Sequence, residues 1–137
     1  NADPTMIQQS TNWDDFLKDA KVKEWPIGDS FSQMHDLLYH SNGLVYVGDN
    51  LQDRMYEINP QTGEYRVYKL PREKGDQLGG LLGARLKEFP KHETFAGIHS
   101  FSESPKDGHI FITASYQQRI IEFNPKVSMW KLKFLEL

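Results

Sequence analysis

One stretch of this chain occurs twice, and that repetition limits the fold more than any other feature. Residues 45–60 read Val-Tyr-Val-Gly-Asp-Asn-Leu-Gln-Asp-Arg-Met-Tyr-Glu-Ile-Asn-Pro, and residues 110–125 read Ile-Phe-Ile-Thr-Ala-Ser-Tyr-Gln-Gln-Arg-Ile-Ile-Glu-Phe-Asn-Pro. Tyr46 and Phe111, Arg54 and Arg119, and Pro60 and Pro125 each stand 65 positions apart. A constant offset means that one structural unit is used at least twice, each copy covering apolar surface that the other cannot bury alone.

Each copy reads as four strands joined by tight turns. In the first unit the strands are expected at 33–39, 44–48, 54–58 and 64–70. In the second they are expected at 98–102, 109–112, 119–123 and 129–135. Ser41-Asn42-Gly43 marks the first turn of unit one, and Asp107-Gly108 marks the same turn of unit two, because these dipeptides tolerate the positive φ of tight hairpins. In the third turn, 59–63, Pro60 presets φ and Gly63 is free to adopt a left-handed conformation. Trp130, Leu132 and Phe134 alternate with Lys131 and Lys133, the period of a half-buried strand. Three successive hairpins make a four-stranded antiparallel meander.

The flanking segments predict a little helix. Residues 1–9 are polar and without period. Thr11 suits an N-cap, Asp14 and Asp15 suit the positive end of a helix, and Trp13, Phe16, Leu17 and Ala20 recur at helical spacing, so 12–20 is expected as a short amphipathic helix covering a sheet edge or face. Residues 21–26 resemble 65–71, the last strand of the first unit, and are expected as an orphan strand. Between the units, 71–96 forms an insertion, a charged loop followed by an expected helix at 81–88 that Pro90 would stop. Its glycines weaken that helix by about 1 kcal/mol each. The 137 residues are thus expected as a single domain: an arm and helix (1–20), an orphan strand with unit one (21–70), an insertion (71–96) and unit two (97–137).

Composition removes several function classes. Sixteen basic residues are scattered among 19 acidic ones for a net charge of −3, so no basic stripe tracks a nucleic acid or an anionic membrane. There is no cysteine, which excludes disulfides, thiolate nucleophiles and cysteine metal ligands and leaves the compartment open. No apolar run approaches the ~20 residues of a membrane span. The expectation is a soluble protein, with export after removal of a leader left open. The glycines at 79, 80 and 83 are not followed by a Gly-Lys-Ser/Thr phosphate loop, and no Gly-x-Ser-x-Gly occurs.

The repeated pattern resembles a blade of a β-propeller. It is an apolar strand, Gly/Thr-Asp/Ala-Asn/Ser, a short loop, Arg, apolar-x-Glu-apolar and Asn-Pro. More narrowly, it is similar to the NHL-repeat and streptogramin-lyase-like (virginiamycin B lyase) propellers, whose inner strands carry a histidine near the start, here within Met34-His35-Asp36 and Ile98-His99-Ser100. The resemblance covers roughly residues 21–135 and implies an all-β fold of two four-stranded antiparallel propeller-like blades, with a short N-terminal helix and a partly helical insertion. Propellers close with about four to eight blades, whereas two sheets leave faces and edges uncovered. Three arrangements would cover them: a longer chain, a ring of copies, or two sheets facing each other as a sandwich.

The resemblance also sets the candidate site. The starts of the inner strands line a propeller's axis, so His35 and His99 are expected there as ligand-binding residues, and as candidates for catalysis or metal ligation because imidazole titrates near neutral pH. Asp36, His92 and Arg85 join them as ligand-binding candidates, the last two on an insertion that reads as a solvated, partner-contacting loop or as a lid. In the lyase-like family the catalytic group resembles a pair of inner histidines, a glutamate two positions before one of them, and a divalent cation. Here the residues two before His35 and His99 are Gln33 and Gly97. The expected function is therefore a non-enzymatic binding or assembly module without a cofactor, partnered by copies of itself or by other blades. A metal-dependent lyase or hydrolase acting on a small cyclic or sugar-like compound is the alternative. Asp49 with Arg54 reads as a structural corner, Glu57 and Glu122 as structural partners of Arg54 and Arg119 or of the adjoining sheet, and His40 and His109 as surface or turn residues.

Overall fold

A computed structural model of the chain describes residues 17–80 and 94–134. They form eight strands in two sheets. The first holds β1 (Met34–Tyr39), β2 (Val45–Asp49), β3 (Arg54–Ile58) and β4 (Tyr65–Lys69), and the second β5 (Ile98–Glu103), β6 (Ile110–Ala114), β7 (Arg119–Asn124) and β8 (Met129–Phe134). Each sheet runs in sequence order with every neighbour antiparallel, so both are meanders, within a residue or two of the expected boundaries.

The turns follow from their residues. Gly43, Gly63 and Gly108 take φ of 82°, 78° and 73°, which a side chain would strain. The repeated Asn-Pro has its own cause. Asn59 Oδ1 accepts the N–H of Gln61, and Asn124 Oδ1 accepts the N–H of Lys126, so each asparagine closes a turn that proline or its neighbour has preset.

The two sheets share one core. Tyr46, Met55 and Leu70 of the first unit pack with Ile110, Ile112, Ile121 and Phe123 of the second. The backbones approach where β5 passes β1 and β2. Farther out the gap is bridged by large side chains, with the rings of Tyr68 and Phe123 4.9 Å apart and Tyr68 Oη 3.2 Å from Ser128 Oγ. The sheets therefore converge at their inner strands and splay outward, the relation of neighbouring blades. Gly48 lies at a close approach of the two sheets: a Cβ there would stand 2.6 Å from Phe101 Cε2 and 2.7 Å from Ile98 Cγ2.

One expectation changes, and two fall partly or wholly outside the described residues. Residues 21–26 form no strand: Val22 is 84% exposed, and the segment is held by side chains instead of a ladder. Trp25 lies against Gly63, its indole N–H donating to Pro60 O at 3.3 Å, and Lys23 Nζ donates to Gln61 O. The aromatic ring is captured by the third turn of unit one, so the segment is an arm and not a fifth strand. Of the helix expected at 12–20, only the last residues are described, and Leu17–Ala20 is one turn closed by Ala20 N–H to Leu17 O. The helix expected at 81–88 lies outside the described residues. No helix among the described residues is long and apolar enough to cross a membrane.

Candidate functional site

The fold brings His35 and His99 together. Their ring centroids are 3.8 Å apart with planes at 39°. The cause lies in the ladders. Met34 pairs with Asp49 and Leu37 with Val47, so β1 carries one residue more than β2 between these pairs. Ile98 pairs with Ala114 and Phe101 with Ile112, so β5 does the same against β6. Both histidines thus sit on β-bulges at the same place in their units, and a bulge re-aims side chains. His99 Nδ1 lies 2.8 Å from Ser100 Oγ, which fixes its ring, while His35 is exposed. Asp36, the third described candidate, is turned to the neighbouring blade, where its Oδ2 accepts the N–H of Phe101 at 3.0 Å. His92 and Arg85 lie outside the described residues.

Around this pair the two units are tied by buried polar side chains. Asn50 Nδ2 donates to Ile98 O at 3.1 Å, and its Oδ1 accepts the hydroxyl of Tyr116. Asp53, with φ of 48° and 1% exposed, holds the segment that leads into β5. Its carboxylate accepts the N–H groups of Phe95, Ala96 and Gly97 at 2.6, 3.1 and 2.7 Å, and the hydroxyl of Thr94 at 3.1 Å. Asp49 performs the matching task within unit one, its Oδ1 accepting the N–H groups of Gln33, Leu51 and Gln52. The geometry at His35 and His99 is therefore built from carboxylates and amides that face the backbone and not the site.

Asp49 is structural, as its position implied, but Arg54 pairs with Asp29 at 3.3 Å. Glu57 accepts the hydroxyls of Tyr46 and Tyr68, and Glu122 meets His109 Nδ1 at 2.7 Å, so both glutamates have structural partners. Burial pushes the Tyr46 hydroxyl far above the usual tyrosine range; the hydrogen bond from Asn42 opposes this and the nearby Glu57 adds to it. Arg119 is buried and holds Asp76 with two nitrogens, at 3.1 and 3.3 Å. Burial alone would raise the Asp76 carboxyl, but the Glu73 N–H and the Arg119 guanidinium outweigh it and keep it below the ordinary carboxylate range. His40 is a turn residue but not a surface one, being 4% exposed. Its Nε2 lies 2.8 Å from Gly108 O, and its Nδ1 accepts the N–H of Asn42, which makes it a clamp between the first turns of the two units. The adjacent cleft is lined by Ser41 and Glu103, which are hydrogen-bonded to each other.

The metal hypothesis meets an unsuitable donor set. No group of three or more His, Asp or Glu side chains able to hold a metal occurs among the described residues. Two imidazoles converge, and the carboxylate that follows His35 in sequence, Asp36, is engaged by a backbone N–H.

No family model matches the chain, and no curated protein matches it. Solved structures do. A catalytically inactive variant of virginiamycin B lyase from Staphylococcus aureus with quinupristin matches with a TM-score of 0.64 and 18% identity, over 87% of this chain and 32% of that one. The selenomethionine-substituted enzyme from the same organism gives 0.62 and 16%, over 85% and 32%. A streptogramin B lyase structure gives 0.62 and 14%, over 85% and 31%. The two sheets share the propeller fold of virginiamycin B lyase. The likeness is one of fold, and the chain spans about a third of the length of each of these proteins.

Proposed function

We propose that this chain is a non-enzymatic binding and assembly module of the propeller type, which presents a ligand to the paired imidazoles of His35 and His99 at the inner-strand ends. The observation that carries this reading is the composition of the pair's surroundings. The two rings are in contact, one of them exposed, while Asp36, Asp49, Asp53 and Asn50 are committed to backbone groups. Binding needs an accessible, positioned surface, whereas general acid–base or metal chemistry needs convergent groups that remain available.

The lyase or hydrolase alternative requires an acid near the pair. Gly97, two positions before His99, has φ of 67°, and a Cβ there would lie 2.8 Å from Tyr116 Cδ2, so a glutamate would be both strained and obstructed. A divalent cation does not fit the donors among the described residues.

Titration with Zn²⁺ and Mn²⁺, followed by calorimetry and by the histidine ring signals in NMR, tests the choice. The module reading expects no stoichiometric binding that His35→Ala and His99→Ala abolish. Tight 1:1 binding lost in both variants would replace it with the enzyme reading.

A further inference from the structure

The two units are equivalent in sequence but not in environment, and the difference points to a docking surface. Strand register places Leu37, Tyr65 and Val67 on the face of the first sheet that looks away from unit two. Their counterparts in unit two are Phe101, Trp130 and Leu132, and these pack on the shared core because unit one covers them. On unit one the same face is open: Leu37 is 61%, Tyr65 44% and Val67 46% exposed. The segment leading into each unit repeats the contrast, with Phe31 77% exposed where its counterpart Phe95 is 3% exposed. Among the described residues, Ile27 and Met34 of β1 pack on Val47, Tyr56 and Ile58 in the middle of this face.

We propose that this face docks a second copy of the chain head to tail, the outward face of the second sheet in one copy lying on Leu37, Tyr65 and Val67 of the next. The proposal rests on the assembly reading above and gives it a geometry. Within the chain, the first sheet meets the second through Gly48, which must lack a side chain because Phe101 fills the space above it. Register puts Thr113 at the position of Gly48, and Leu37 at that of Phe101. A larger residue on one surface thus faces a smaller one on the other, so the contact between copies keeps the spacing of the contact within the chain. The outward face of the second sheet keeps two apolar positions of its counterpart, with Phe111 for Tyr46 and Ile120 for Met55, while register puts Ser102 and Lys133 at those of Leu38 and Tyr68. Such a contact joins two different surfaces and repeats until a rotation closes it. With two blades per copy, and propellers closing at about four to eight blades, roughly two to four copies would complete a ring.

The chain has no cysteine, so single introduced thiols report this contact alone. Leu37→Cys and Thr113→Cys, made separately, mixed and treated with a short bis-maleimide, should give the mixed dimer as the dominant product. The pairs formed by either variant alone should be several-fold weaker. Thr113 and Leu37 are both exposed, and unchanged far-ultraviolet dichroism establishes that each variant folds. Sedimentation of the unmodified chain should give about two to four times the protomer's 15.9 kDa. A Leu37→Cys dimer dominating the mixture would mean that like faces pair. It would overturn the head-to-tail geometry while leaving assembly intact. A 15.9 kDa species with no cross-link would overturn both.

Discussion

Asp53 is the side chain on which the relation between the two units most depends, and its removal has a calculable effect. In the native chain its carboxylate satisfies three backbone N–H groups and one hydroxyl, all buried. In Asp53→Gly the Gly97 N–H keeps Thr94 Oγ1 at 3.1 Å as an acceptor, which leaves the N–H groups of Phe95 and Ala96 without one. A buried donor left unmade costs about 1–3 kcal/mol, so two cost about 4 kcal/mol. Asp53→Ala adds about 1 kcal/mol, because φ is 48° and an alanine Cβ is strained in the left-handed region. Asp53→Asn tolerates that φ and retains one acceptor oxygen, so it should lose about 2 kcal/mol. Equilibrium unfolding in urea, followed by tryptophan fluorescence, reads these losses as midpoint shifts. With a slope of about 2 kcal/mol/M, Asp53→Gly should lower the midpoint by about 2 M and Asp53→Asn by about 1 M. Amide exchange supplies a second reading, since protection should fall first at Phe95, Ala96 and Gly97. If the glycine and asparagine variants both unfold within about 0.5 kcal/mol of the native chain, the carboxylate does not hold the second unit in place and the reasoning fails.

Two further outcomes follow from the same contacts. Gly48→Ala puts a methyl group 2.6 Å from Phe101 Cε2, so the blades must separate, and thermal unfolding should show a loss of about 1–3 kcal/mol; Phe101→Leu in the same chain should restore part of it. The Asp76 carboxyl is depressed in the folded state, so its contribution is present above the unfolded carboxylate value of about 4 and is lost as pH falls through the lower folded value. Asp76→Asn should therefore destabilise the chain at pH 7, and its difference from the native chain should shrink in urea titrations below about pH 4.

The repeat made the fold legible. A constant spacing of Tyr46 to Phe111 and of Arg54 to Arg119 set the strands, and the Asn-Gly, Asp-Gly and Asn-Pro pairs set the turns, because each signal is local and acts through its own backbone. Residues 21–26 misled for a related reason. Their resemblance to 65–71 is real in composition, but the segment is held by Trp25 on the Gly63 turn and not by a ladder. The histidine pair was legible as two equivalent positions; the bulges that bring the rings into contact had no sequence mark of their own. In sequence Asp53 is only part of a short loop, since its partners begin at Thr94, 41 positions away. Nothing near Asp53 announces a carboxylate that caps a distant strand. His40 belongs to a turn, one of the two places its sequence allows, and its burial depends on Gly108 of the other unit.

The central claim is that two equivalent blades stand side by side with their inner strands adjacent. Nuclear Overhauser contacts between the ring protons of His35 and His99 test it most directly. Centroids 3.8 Å apart predict strong cross-peaks, which disappear in His35→Ala. Sharp, assigned signals from both rings with no cross-peak between them would contradict the packing of the two units.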